Sequence, residues 1–222
     1  MNVINVLPQL SLSAHGPVNE LGELVHFRQG DLDGACGPYS LLMALVTKGV
    51  ISRSDAVNLD SIDGRKRLGR FRNRLLAFGG LICEGTDTHD LSWLSDCFRT
   101  YVTAQNIFGT TRSLTEDLVK AIDTGSAPII GVEWGAGDGH WLLVIGYQKK
   151  MAQPSDVITH LLCLDPFVEG PVVSLWNAVI EVQTATGAVV NAGRFPSNHW
   201  YKGDTSKCKI SNALVIANVN QN

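Results

Sequence analysis

No apolar run in the 222 residues approaches the length of a membrane span. No lysine or arginine precedes Arg28, so the charged start of a Sec-type signal peptide is missing. The five cysteines, Cys36, Cys83, Cys97, Cys163 and Cys208, are odd in number, scattered and without a CxxC pair, which points away from a disulfide framework and from a zinc site. Charge of one sign is lacking too. A net charge of -3 gives no global reason to expect nucleic acid or an anionic membrane as partner. There is no internal repeat, low-complexity tract or evident linker. The expectation is a soluble protein of a reducing cytoplasm, or one exported by a signal-less route, with its oligomeric state left open.

What is present suits a globular protein. With 45% hydrophobic and 18% charged residues, the chain can bury a core without metal or disulfide staples. Its length suits one domain over residues 1–222. One segment departs from the even charge: Arg65, Lys66, Arg67, Arg70, Arg72 and Arg74 hold six of the 18 basic residues. Leu68, Phe71, Leu75 and Phe78 interleave with them at helical spacing, so the segment reads as a helix with a solvated basic face or as a surface for an acidic partner.

Residues 1–28 read as irregular or extended, with turn signals at Pro8, Gly16 and Pro17. Helical signals run from Cys36 to about Val46, with Gly49 as a stop, and again from Ser52 to about Leu76, where Ser54 is a candidate cap and Gly79-Gly80 a break. Asp90–Phe98 reads as a helix capped by Asp87 or Thr88, and Ser113-Leu114-Thr115-Glu116 as a capping box opening a helix that Gly125 ends. Then strand signals take over: Pro128–Trp134, His140–Tyr147, Val157–Leu164 and Ser211–Val219, with Val172–Val182 ambiguous between strand and helix. Helices first and sequential strands second predict an α+β protein, with a helical lobe over about 30–125 against an antiparallel sheet over about 126–222.

The chemistry gathers around Cys36. Pro38 fits a first helical turn, where its missing N–H costs nothing. Cys36 therefore belongs at a helix N-terminus, where unpaired N–H groups and the macrodipole favour an anionic sulfur. A thiolate nucleophile needs a base close in space. Of the six histidines, His140 is the strongest candidate, because it stands where a glycine-rich loop, Gly135-Ala136-Gly137-Asp138-Gly139, enters an apolar strand. His199, read as a loop residue in Asn198-His199-Trp200, is the rival, and His160 reads as structural. An imidazole needs an acceptor that orients it. Asp165 closes the next apolar run and reaches His140 if the two strands pair, although an Asp-Pro pair can simply end a strand. Trp134, Trp141 and Tyr39 suit either a cleft wall or the core.

At these residues the chain resembles the papain-like cysteine peptidases, most closely the peptidase C39-like branch. The matching pieces are Gln29, Cys36-Gly37-Pro38, Gly139-His140-Trp141-Leu142-Leu143-Val144-Ile145-Gly146-Tyr147 and Leu164-Asp165-Pro166. The resemblance implies a papain-like fold without cofactor or metal. It implies Cys36 as nucleophile, His140 as base and then acid, Asp165 as orienter, and Gln29 as oxyanion donor beside the Cys36 N–H. Six residues separate Gln29 from Cys36, one more than usual in that family, and the gap from His140 to Asp165 is long, which a loop at Lys149–Ser155 would absorb. No ATP-binding or transmembrane segment accompanies the motifs, so a free-standing enzyme is expected.

The expected reaction is thiol-dependent hydrolysis of an amide bond in a peptide or protein, through an acyl-enzyme. Two alternatives share these residues. One is acyl transfer or deamidation of the transglutaminase kind, and the other is an inactive papain-like binding module in which Cys36 is a buried thiol.

Overall fold

In the computed structural model, residues 1–30, 34–78, 85–135, 138–153 and 155–219 are described. Gly79-Gly80, Cys83 and the middle of the glycine-rich loop lie outside them. Three short strands come first, β1 (Asn2–Val6), β2 (Ser11–Ser13) and β3 (Gly16–Val18). They are followed by α1 (Cys36–Thr47), α2 (Arg53–Val57), α3 (Arg67–Ala77) and α4 (Thr88–Ser95), with 3₁₀ turns at Leu59–Ser61 and Asp96–Phe98. Then come β4 (Val102–Phe108), α5 (Thr111–Asp123), β5 (Ala127–Trp134), β6 (Asp138–Lys150), β7 (Val157–Leu164), β8 (Ala178–Glu181), β9 (Ser197–Tyr201) and β10 (Asp204–Asn218).

The helix ends follow local chemistry, not always at the expected residue. Ser52, not Ser54, caps α2 by accepting from the Asp55 N–H. Asp87 caps α4 in a reciprocal capping box with Asp90. Thr110 caps α5 by accepting from the Ser113 N–H, three residues before the expected box. α1 has every residue but Tyr39 buried, so it is apolar all round. Such a helix must lie inside a protein, and α1 packs on β6, β5 and α4.

The sheet is antiparallel throughout its pairings, as expected, but it is not an open layer under a helical lobe. β6, β5, β10, β9, β8 and β7 pair in that order, and β7 pairs back to β6, closing a six-stranded barrel. Two outlying strands extend it, β1 beside β6 and β4 beside β10. β1 comes from the segment read as irregular or extended, whereas β4 lies within the stretch expected to be helical. Closure leaves fewer unpaired edges than an open sheet of these strands. The continuous apolar runs of β6 and β7 then make sense, because one face fills the barrel and the other carries α1 and its neighbours. Leu41, Met43, Leu45, Leu142, Leu143 and Leu164 are fully buried there. Each such side chain contributes about 1.5–3 kcal/mol on leaving water.

Among the described residues, no helix is long and apolar enough to cross a membrane.

Candidate active site

Register decides which side chains meet. β6 and β7 pair Leu143 with Leu164, so one further step sets Asp165 across from Leu142. His140 lies two residues along β6 from Leu142, on the same face, within diagonal reach. The result is a hydrogen bond of 2.6 Å between His140 Nε2 and Asp165 Oδ1.

The helix is seated by its next turn. Ser40 Oγ donates to the Trp141 carbonyl at 3.1 Å. Trp141 Nε1 in turn donates to the Thr86 carbonyl at 2.7 Å. Cys36 is one helical turn before Ser40, which sets it on the same cavity as His140, near enough for its sulfur to bear on the titration of the imidazole. Gly37 permits this approach. A Cβ there would stand 2.1 Å from Thr86 Oγ1 and 3.1 Å from Trp141 Cδ1, so the helix head could not sit so close. Trp141 is accordingly a core residue, while Trp134 is half-buried with its ring centroid 5.8 Å from that of His140.

Asp165 is fixed from several sides. Its Oδ1 also accepts from the Phe167 N–H at 2.7 Å. Asn177 clips its backbone, with Oδ1 accepting from the Asp165 N–H at 2.7 Å and Nδ2 donating to its carbonyl at 3.0 Å. His26 Nε2 lies 3.0 Å from the same carbonyl. Burial works against a charged carboxylate, but the His140 hydrogen bond and charge, and then the Phe167 N–H, hold its pKa below the ordinary value. Burial also works to lower the His140 pKa. The hydrogen bonds and charges of Asp165 and Cys36 outweigh it and push the value up to about 10. An imidazolium is thus favoured at neutral pH.

His199 is not in a loop. It lies in β9, almost fully buried, with its ring stacked on Tyr201 at 4.7 Å. Its Nε2 is 3.6 Å from Asp165 Oδ2. Burial pulls its pKa down to about 4 against the opposing charge of Asp165, so at neutral pH it is uncharged and makes no ion pair.

Gln29 is buried, and its N–H donates to the Pro166 carbonyl at 2.8 Å, which hangs it from the turn after Asp165. The structure therefore sets Cys36 and His140 on one cavity, binds His140 to Asp165 and anchors Gln29 beside the turn after Asp165. Sequence reasoning missed Asn177, Thr86 and the approach of His199 to Asp165. All three depend on contacts between distant segments, and no local pattern marks them. A cavity of about 320 Å³ opens on Cys36 and His140, with Thr86, Glu133 and Asn212 on its walls and backbone of Gly85, Gly131 and Gly139 exposed to it.

No protein-family model matches the chain. No curated protein matches its sequence. Among solved structures, the crystal structure of UfSP from C. elegans matches over 97% of this chain, with a TM-score of 0.46 and 11% identity. The chain spans 34% of that protein's length. At that level the likeness carries nothing about residues, substrate or partners.

Proposed function

We propose that the protein is a papain-like cysteine peptidase that hydrolyses amide bonds in a peptide or protein substrate. One arrangement carries the reading: the Cys36 thiol, at the head of the buried helix, shares a cavity with an imidazole that is held through Nε2 by an ionised carboxylate and whose pKa Asp165 and Cys36 together raise. Because Nε2 engages Asp165, Nδ1 is the nitrogen left for the sulfur.

The thiolate of Cys36 attacks the substrate carbonyl while His140 holds the proton. The oxyanion is received by the Cys36 N–H and the Gln29 side-chain amide, and losing one such donor typically lowers the rate by about 10²–10³. His140 then protonates the departing amine and afterwards takes a proton from the water that releases the acyl group. Proton transfer of this kind is worth roughly 10²–10⁴. Asp165 keeps the proton of the imidazole on Nε2 and stabilises the imidazolium.

The test is labelling by a thiol-directed epoxide at neutral pH, together with cleavage of a proteome-derived peptide library by wild type and Cys36→Ala. The expected outcome is modification of Cys36 in the folded protein and cleavage that Cys36→Ala abolishes. An unreactive Cys36 with no cleavage would favour a binding module. Transfer to an added amine without hydrolysis would favour an acyltransferase.

A further inference from the structure

We infer that the basic face of α3 is a docking groove for an acidic stretch of the polypeptide substrate, outside the cleft and at the other end of α4 from it. The inference rests on the peptidase reading for the identity of its occupant.

Two adjoining cavities of about 590 and 410 Å³ share Arg70, Cys97 and Thr100 and so form one groove. Arg65, Lys66, Arg67, Arg70, Arg74 and Arg99 line it against three carboxylates, Asp55, Asp63 and Asp96. The local excess is three positive charges on a chain whose total is -3. Some of these cations are committed to the fold. Arg67 bonds the Val50 carbonyl and lies over the Tyr101 ring, and Arg74 pairs with Asp96. Lys66 and Arg70 are exposed, and among the described residues neither has a carboxylate within ion-pair distance.

The same helix is built against its own stability. α3 begins without a side-chain cap and without an acidic residue in its first turn, and Lys66, Arg67 and Arg70 crowd that end instead. Cations beside the positive end of a helix dipole, and like charges four residues apart, each destabilise a helix. An anion seated in the groove relieves both.

Distance links the groove to the cleft. α4 starts at Thr88 on the cleft wall and runs for eight residues, and the 3₁₀ turn that follows leads to Thr100 in the groove. That path is roughly 18 Å. An extended peptide covers it in about five or six residues. A peptide fits better than a nucleic acid. The carboxylates interleaved in the groove and the overall negative charge oppose a long polyanion, and the Tyr101 ring, which could stack a base, is covered by Arg67.

The experiment uses the full chain and a fluorescein-labelled hexaglutamate peptide, read by anisotropy. Expected is binding that weakens as salt rises and falls about tenfold in the double variant Lys66→Glu with Arg70→Glu. The same charge change at Lys120 and Lys207, both exposed elsewhere, leaves binding nearly unchanged. Because the new glutamates suit the start of α3, the groove variant should melt at or above the wild-type temperature, so lost binding is not lost folding. For a cleaved sequence from the library, an acidic tail six residues away should raise kcat/KM about tenfold through KM, and only in protein with the basic groove. No binding, or binding indifferent to the groove variant, overturns the inference. So does a twelve-residue oligothymidylate that binds more tightly through the same residues. Binding in a protein that hydrolyses nothing would sink the reading of the cleft and leave the groove as an acidic-peptide site.

Discussion

Asp165 has an imidazole on each side, and the two are held in opposite states. His140 comes from β6 and meets Oδ1 at 2.6 Å, and it shares its cavity with Cys36. His199 comes from β9 and stays 3.6 Å from Oδ2. Both are buried, and burial alone lowers the pKa of each. One ångström, the hydrogen bond to Asp165 and the influence of Cys36 separate a value of about 10 from one of about 4. Proximity to a carboxylate is therefore not enough to charge a histidine. The in-line contacts decide, and they single out His140 as the proton carrier of the proposed reaction.

The comparison breaks most visibly by exchange of roles. His140→Ala should lower kcat/KM by about 10⁴-fold on a substrate from the library. His199→Phe, which keeps a stacked ring, should lower it by about tenfold or less. Equal losses would erase the distinction between the two rings.

A second measurement tests what holds the proton. In Asp165→Asn, His140 keeps an amide oxygen as acceptor but loses the negative charge that stabilises its imidazolium. The alkaline limb of the kcat/KM profile, expected near pH 10 in wild type, should move toward 6.5, the ordinary histidine value. The plateau should also drop about 10²–10⁴-fold. A limb that stays in place would mean that another group titrates there.

The smallest effect is on stability. With its pKa lowered, folded His199 binds fewer protons than the unfolded chain between 6.5 and about 4, so stability falls as pH drops through that window. His199→Phe should remove part of that acid loss, on the order of 1–3 kcal/mol by urea titration. His140 has the reverse sign. Its contribution is complete below 6.5 and is lost as pH rises through about 10.

The sequence carried the start of α1 clearly, because Pro38, the unbroken apolar run and Gly49 are local signals. His140 and Asp165 were legible as the ends of two apolar strands, and their meeting needed only that those strands be neighbours. β4 was not legible: four of its seven residues are exposed and its apolar residues do not alternate, and it is a strand only because the far end of β10 pairs with it. The burial of His199 was hidden for the same reason. Asn198-His199-Trp200 looks like a turn until β8 and β10 flank it. Closure of the barrel depends on the β6–β7 and β8–β9 ladders at once, and such long-range agreement leaves no periodic trace in the chain.

The pairing of β6 with β7 is the clasp of a hoop, and the proposed acid–base couple sits at its end. Slack in that clasp would part His140 from Asp165 before the rest of the molecule noticed. Shelf life as a working catalyst should therefore follow amide exchange along this single ladder more closely than it follows global melting.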